Sequence, residues 1–174
     1  MVGSSSDFEV PLPVLMRRAR AVYGRVMRLA LMEADFGDVP VNGLYILGRL
    51  DLGGGGMPLR QLIGELGMSK QAAGQLVDVM VSRLYLSRDS DPRDRRKVIV
   101  ALTTRGIAAA KVQRGAREAL DATLVDTVGE IDFRRIKQIL QVIVNLDQIG
   151  DQIISSNRDN SSPLGRSRQS SVGT

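Results

Sequence analysis

Apolar residues recur at helical spacing at both ends of the chain. Near the N-terminus the members of one stripe are separated by four, three, four and three residues: Leu15, Ala19, Val22, Val26 and Leu29. This spacing predicts one long helix over about 12–34, with Pro11 and Pro13 at its start. A similar apolar repeat over 107–148, interrupted at Gly129, predicts two further long helices.

The segment between these helices has helix-start and helix-end residues spaced as in a helix-turn-helix. A short helix is expected around 40–50, followed by a flexible loop at Gly53–Gly56. Pro58 then opens a helix that Gly67 ends, and Ser69 caps the next one. Two helices joined by a glycine turn are typical of this motif, and also of simple helical hairpins.

Two short strands follow the second helix of this motif. The segments Tyr85–Arg88 and Val98–Leu102 alternate or are rich in β-branched residues, and the polar run 89–97 between them predicts a turn. A hairpin at this place is a wing, and Thr103 or Thr104 would cap the helix after it. The predicted fold is mainly α with a small β-hairpin wing: a winged helix-turn-helix, about 40–104, flanked by N- and C-terminal dimerisation helices.

Three regions are expected along the 174 residues. They are a flexible tail over 1–10, a single winged-helix domain over 11–150, and a disordered polar tail over 151–174. The helices at about 12–34 and 107–148 carry more apolar surface than a small winged domain covers. We therefore expect a homodimer, with packing of these helices on each other inside one chain as the alternative.

The composition argues against most enzymes and bound cofactors. The chain contains no Cys and no His, so it lacks the commonest general base, the commonest metal ligand and any thiol nucleophile. We expect no cofactor and no metal. The N-terminal residues show no signal-peptide pattern, and no apolar run reaches 18 residues. No membrane partner and a cytoplasmic location are the resulting expectations.

Positive charge is concentrated in the predicted winged segment. The formal net charge is +5, and residues 59–105 carry nine Lys or Arg against five Asp or Glu. A local basic block favours a polyanionic partner such as DNA or RNA, although a solvated basic face would look the same.

The wing segment resembles that of MarR-type winged-helix transcriptional regulators. It reads Asp91-Pro92-Arg93-Asp94-Arg95-Arg96, then a strand, then Leu102-Thr103-Thr104-Arg105-Gly106. The family pattern is Asp-x-Arg-Asp-Arg-Arg, a strand and Leu-Thr-x-x-Gly. The resemblance covers about residues 14–148. It implies a homodimer with six helices and a three-stranded wing region per chain, acting as a repressor that a small aromatic or anionic effector relieves.

One position departs from the family pattern. Arg83-Leu84 stands where the family usually has Arg-Gly, whose glycine forms a left-handed helix cap. A leucine in that conformation costs about 1–2 kcal/mol. Either the helix ends differently, or the wing is aimed differently.

Candidate DNA-contacting residues fall into two groups. The start and outer face of the second motif helix would enter the major groove with Ser69, Lys70, Gln71, Gly74 and Gln75. The wing would place Arg93, Asp94, Arg95 and Arg96 at the minor groove, with Asp94 orienting Arg96 on one face of the hairpin. Plain solvated surface is the alternative for both groups.

The sequence thus predicts a homodimeric DNA-binding transcriptional regulator, a repressor relieved by a small-molecule ligand. The competing interpretation is a constitutive or architectural DNA-binding protein without an effector. A module that only dimerises would leave the arginine-rich wing unexplained. Tyr23, Met27 and Tyr45 are candidates for an effector pocket, and equally for the core.

Overall fold

The computed structural model describes residues 10–159, with side chains described through residue 146. This part of the chain contains six helices and one three-stranded sheet. The helices are α1 (Leu12–Glu33), α2 (Gly43–Leu52), α3 (Leu59–Glu65), α4 (Lys70–Ser82), α5 (Thr104–Val128) and α6 (Glu130–Asp159). The strands are β1 (Gly56–Pro58), β2 (Leu86–Asp91) and β3 (Asp94–Leu102).

The described chain divides into two compact units at residue 123. The first unit holds α1 to α4, the sheet and most of α5. The second holds the end of α5 and the whole of α6. The sheet is antiparallel with the order β1-β3-β2, so the wing hairpin gains a third strand from the segment before α3.

The core of the first unit joins α2, α3, α4 and the sheet to the end of α1 and the start of α5. Its completely buried side chains come from each of these elements, and Tyr85 is the largest of them. Other members are Leu31, Ile46, Leu47, Leu50, Leu62, Val77, Met80, Leu86 and Val100. The helix-turn-helix and the wing therefore share one core.

The helix boundaries in the winged segment follow the capping residues. Gly67 lies just after α3 with a φ of 62°. The Ser69 hydroxyl oxygen accepts a hydrogen bond from the Ala72 amide at 3.2 Å at the start of α4. The Thr103 hydroxyl accepts one from the Gly106 amide at 3.0 Å and caps α5, which begins at Thr104 rather than at residue 107.

The wing hairpin is longer than the sequence pattern predicted. The expected polar turn over 89–97 is wrong, because β2 continues to Asp91 and β3 begins at Asp94, leaving Pro92-Arg93 as the turn. Backbone hydrogen bonds hold a hairpin together regardless of polarity when its side chains face solvent. Most of this charged run therefore belongs to the two strands and not to a loop.

The glycine run before α3 is only partly a loop. Gly54 and Gly55 adopt positive φ angles, as a tight turn requires. Gly56, however, begins β1 and pairs with Ala101 of β3, so the expectation of a loop is wrong at this position. Gly56 is a strand residue because it pairs with the distant strand β3. A strand of three residues leaves almost no pattern in the local sequence.

The last helix extends beyond its expected end. α6 continues to Asp159, whereas the apolar repeat predicted a helix end near 148 and the polar composition predicted a disordered tail from 151. The helix passes through Gly150 and the polar residues after it, because its backbone hydrogen bonds do not depend on apolar side chains and a single glycine costs only about 1 kcal/mol. The expected tail over 160–174 and the expected N-terminal tail over 1–9 lie outside the described residues.

Leu84 occupies the left-handed position after α4, with a φ of 63°. The Leu84 amide donates to the Val81 carbonyl and the Tyr85 amide donates to the Met80 carbonyl, both at 2.9 Å. These two bonds form a Schellman motif, the usual glycine-terminated helix end. The helix therefore ends as in the family pattern, with leucine in the strained position.

The segment Arg83-Leu84-Tyr85, here called the α4–β2 joint, is held by the start of α5. Its three successive carbonyls accept hydrogen bonds from Arg105 Nη1 at 2.9 Å, from the Thr103 hydroxyl, and from the Thr103 amide at 3.1 Å. Gly106 lies so close to this segment that a Cβ on it would be 2.1 Å from the Tyr85 carbonyl oxygen.

Gly106→Ala should destabilise the protein by at least about 3 kcal/mol, because a backbone atom cannot move aside as a flexible side chain can. Gly115→Ala is the matched control in the same helix, since a Cβ there meets no atom within 4 Å. That control should stabilise the protein by about 0.5–1 kcal/mol. Urea denaturation of both variants is the measurement, and equal effects would disprove the close approach.

Leu84→Gly should stabilise the protein by about 1 kcal/mol, because it relieves the left-handed strain. Little packing is lost, since Leu84 is 65% exposed. Leu84→Ala keeps the Cβ and should bring no such gain. If both variants lower the urea midpoint equally, the leucine side chain contributes packing that outweighs the strain.

Candidate nucleic-acid interface

The predicted recognition-helix residues lie together at the start of α4 and on its outer face. Ser69, Lys70, Gln71 and Gln75 are exposed, while Ala73, Val77 and Met80 on the opposite face are buried. Gly74 is half-buried, and a Cβ at this residue would meet nothing within 4 Å. The helix thus presents one amide- and amine-bearing surface to solvent.

The wing arginines lie at an irregularity in the hairpin. Ser90 pairs with Val98, but the next residue, Asp91, pairs with Asp94, so three residues of β3 have no partner on β2. These three are Arg95, Arg96 and Lys97. A bulge of this kind interrupts the regular alternation of side chains and re-aims them.

All the wing arginines face solvent, and the carboxylate beside them is partly covered. Arg93, Arg95 and Arg96 are exposed, and the Arg96 side chain is 94% exposed. Asp94 Oδ1 accepts a hydrogen bond from the Arg96 amide at 3.2 Å and lies 3.5 Å from Arg96 Nε. Its other oxygen lies 3.7 Å from Lys97 Nζ. Asp94 is thus placed to restrain the bulge and orient Arg96.

An ion pair that the sequence analysis missed connects the two groups. Arg88 of β2 approaches Asp78 of α4, with 2.6 Å between Nη1 and Oδ1. The two residues are ten positions apart, and only the folding back of β2 along α4 brings them together. This pair joins the wing directly to α4.

The part of the chain that the structure describes holds no cluster of acidic residues suited to a metal ion. None of its helices has an apolar stretch long enough to cross a membrane.

No protein-family model matches the sequence, and none of the curated proteins is detectably similar to it. Solved structures are similar in fold. MepR from S. aureus in its DNA-binding conformation has a TM-score of 0.65 at 18% identity, covering 78% of this chain and 98% of its own. A mutant of MarR from E. coli, complexed with operator DNA, has a TM-score of 0.60 at 18% identity, covering 81% and 99%.

The chain has the MarR-type winged-helix fold. NadR in complex with 4-hydroxyphenylacetate is also similar, with a TM-score of 0.63 at 15% identity over 82% of this chain and 97% of its own. Other similar structures are described as transcriptional regulators.

In this MarR-type fold, the Leu-Thr-x-x-Gly pattern has a structural explanation. Leu102 ends β3, Thr103 caps α5 while bonding the Leu84 carbonyl, and Gly106 permits the close approach to Tyr85. Arg105, at an x position of the pattern, adds a bond to the Arg83 carbonyl. The pattern therefore marks the residues through which the start of α5 packs against and hydrogen-bonds the α4–β2 joint.

Asp38, in the loop between α1 and α2, makes further hydrogen bonds to the α4–β2 joint and to Arg105. One carboxylate oxygen accepts a hydrogen bond from the Tyr85 hydroxyl at 2.5 Å and from Arg105 Nη2 at 2.9 Å. The Arg83 guanidinium donates to the Asp38 backbone carbonyl, and the Arg105 guanidinium lies 4.5 Å from the Tyr85 ring centre. No motif around Asp38 signalled this role.

The ionisation of this cluster agrees with its geometry. The hydrogen bond from Tyr85 holds the pKa of Asp38 below its ordinary value, and the charge of Arg105 acts in the same direction. Burial, followed by the bond to the Asp38 carboxylate, raises the pKa of Tyr85 to about 12. Asp38 is therefore an anion, and Tyr85 a donor, at neutral pH.

Proposed function

We propose that the protein is a homodimeric DNA-binding transcriptional repressor, with α4 as the recognition helix in the major groove and the wing at the minor groove. The observation that carries this proposal is the bulge of Arg95, Arg96 and Lys97 on a wing tied by Arg88–Asp78 to an exposed Lys-Gln helix face. Two protruding cationic and amide surfaces on connected elements suit a duplex better than a small substrate.

The exposed start of α4 has the chemistry for reading base edges. Gln71 and Gln75 carry amide groups that can pair with adenine, and Lys70 can reach guanine or a phosphate. Ser69 and the open space at Gly74 would allow the helix N-terminus to approach the DNA closely.

The wing has the chemistry for reading groove shape. A narrow minor groove concentrates negative potential, and an exposed guanidinium such as that of Arg96 enters it without needing a base-specific partner. Arg93 and Arg95 are equally free to contact phosphates, while Asp94 restrains Arg96.

The homodimer is supported by apolar surface that the single chain leaves uncovered. Exposed large apolar side chains are found on α1 and again on α6: Leu12, Leu15, Val22, Leu29 and Met32, and Ile131, Ile136, Ile139, Leu140, Val142, Val144 and Leu146. Apolar surface of this kind marks an association interface. A two-fold dimer would place its recognition helices about 34–36 Å apart, in successive major grooves.

Relief by a small aromatic or anionic effector is the regulatory part of the proposal. It is supported by the fold shared with NadR, which is known in complex with 4-hydroxyphenylacetate. A regulator of this kind acts where the chromosome lies, in the cytoplasm. Constitutive or architectural DNA binding remains the alternative, favoured if the helix face shows no sequence preference.

Substitutions in the wing and in α4 should have different effects on DNA binding. Arg95→Ala, Arg96→Ala and Asp94→Ala should weaken binding to every duplex, and each arginine variant should lower the salt slope by about one. Gln71→Ala and Gln75→Ala should cost about 1–3 kcal/mol on a duplex selected from a random library, and almost nothing on its scrambled counterpart. Titrations at two salt concentrations provide the measurement.

Arg134→Ala is the control for loss of one positive charge, because this exposed residue of α6 pairs with Glu130. It should bind both duplexes like the wild type. Wing variants that also behave like the wild type would show that the hairpin does not contact DNA. Helix variants whose affinity falls equally for both duplexes would favour the architectural alternative.

The dimer should depend on the exposed apolar positions of α6. Ile136→Glu should shift the protein toward monomer and weaken binding to the selected duplex, because a buried carboxylate opposes association. Gln138→Glu adds the same charge at a polar exposed position and should leave the dimer intact. Sedimentation velocity at micromolar concentration is the measurement, and a monomeric wild type that binds DNA tightly would contradict the dimer.

A further inference from the structure

The α4–β2 joint is the covalent connection between the two proposed DNA-contacting elements. It contains three residues, and one of them, Leu84, is held in a strained conformation. Small changes of φ and ψ in so short a segment would rotate the wing against the recognition helix. The relative angle of the two elements therefore depends on what holds the joint.

Two separate segments hold it. The start of α5 bonds the three carbonyls of the joint, as described above. Asp38 adds hydrogen bonds from the α1–α2 loop. Its carboxylate accepts from the Tyr85 hydroxyl and from Arg105 Nη2, and its backbone carbonyl accepts from the Arg83 guanidinium. Asp38 thereby connects two side chains of the joint and the arginine that bonds the joint's first carbonyl.

We propose that Asp38 is a positioning residue for DNA binding, because it locks the α4–β2 joint and so holds the recognition helix at one angle to the wing. This inference rests on the proposed function. Asp38 itself carries a negative charge, which makes it unsuited to contact a phosphate. Its contribution to DNA binding is made through Tyr85, Arg83 and Arg105.

The locked joint should matter for specific binding more than for non-specific binding. Base-edge readout by α4 and groove readout by the wing must occur together at one geometry, and a loose joint has to be ordered when both engage. Non-specific attachment depends on the number of cations near phosphates, which the lock leaves unchanged.

Two substitutions test the proposal, and only one of them changes the charge of the protein. Asp38→Asn removes a negative charge and by charge alone should tighten binding to all DNA. Tyr85→Phe changes no charge and keeps the buried ring. Asp38→Asn keeps an acceptor oxygen but loses the charge that strengthens its bonds to Tyr85 and Arg105. If Asp38 locks the joint, both variants should bind the selected duplex more weakly, and Tyr85→Phe by about three- to tenfold, which is the range for one lost hydrogen bond. For Tyr85→Phe, binding to the scrambled duplex and the salt slope should stay as in the wild type.

Tyr23→Phe is the matched control. Its hydroxyl donates to Asp121 Oδ1, also at 2.5 Å, and burial with that bond raises the pKa of Tyr23 to about 12, as for Tyr85. This bond joins α1 to α5 and makes no contact with the joint. The variant should lose comparable stability to Tyr85→Phe and keep its affinity for the selected duplex, measured without effector at a temperature where all variants are folded.

The possible results separate the proposal from the function on which it rests. Asp38→Asn binding both duplexes more tightly, or Tyr85→Phe binding the selected duplex like the wild type, overturns the positioning role and leaves the DNA-binding function standing. A wild-type protein without salt-dependent DNA affinity overturns the function itself. Equal losses in Tyr85→Phe and Tyr23→Phe would show a general effect of stability and also overturn the positioning role.

Discussion

The contact between Gly106 and the Tyr85 carbonyl is the constraint on which the arrangement of α4 and the wing depends. A Cβ at residue 106 would lie 2.1 Å from the Tyr85 carbonyl oxygen, so only glycine lets α5 begin where it does. From that position Thr103 caps α5 and bonds the joint at the same time. The start of one helix thus fixes the end of another and the start of the wing.

The same region joins surface chemistry to the core. Tyr85 is completely buried with its ring, while its hydroxyl reaches Asp38 in the α1–α2 loop. The Arg88–Asp78 pair on the outside is exposed and worth little stability by itself, as is usual for surface ion pairs. Several hydrogen bonds converge on the α4–β2 joint, whereas one ion pair spans the outside, so we expect the orientation of the wing to depend chiefly on the joint.

Sequence patterns predicted the elements that depend on neighbouring residues. Helical periodicity, the caps at Ser69, Gly67 and Thr103, and the β-branched residues that predicted the hairpin are all local effects. The strand at Gly56 and the Asp38–Tyr85 bond were not predictable in this way, because their partners lie 45 and 47 positions away. The bulge at Arg95 was missed for a related reason: charged residues carry no signal of strand register.

The strained Leu84 shows how these contacts work together. The sequence left open whether leucine in place of glycine changes the helix end or aims the wing differently. The Schellman bonds to Met80 and Val81 are intact, so the helix end is retained. The strain of about 1 kcal/mol is opposed by bonds to all three carbonyls of the joint, each worth about as much. Because hydrogen bonds from the start of α5 and from Asp38 hold this segment, the left-handed conformation does not require glycine at residue 84.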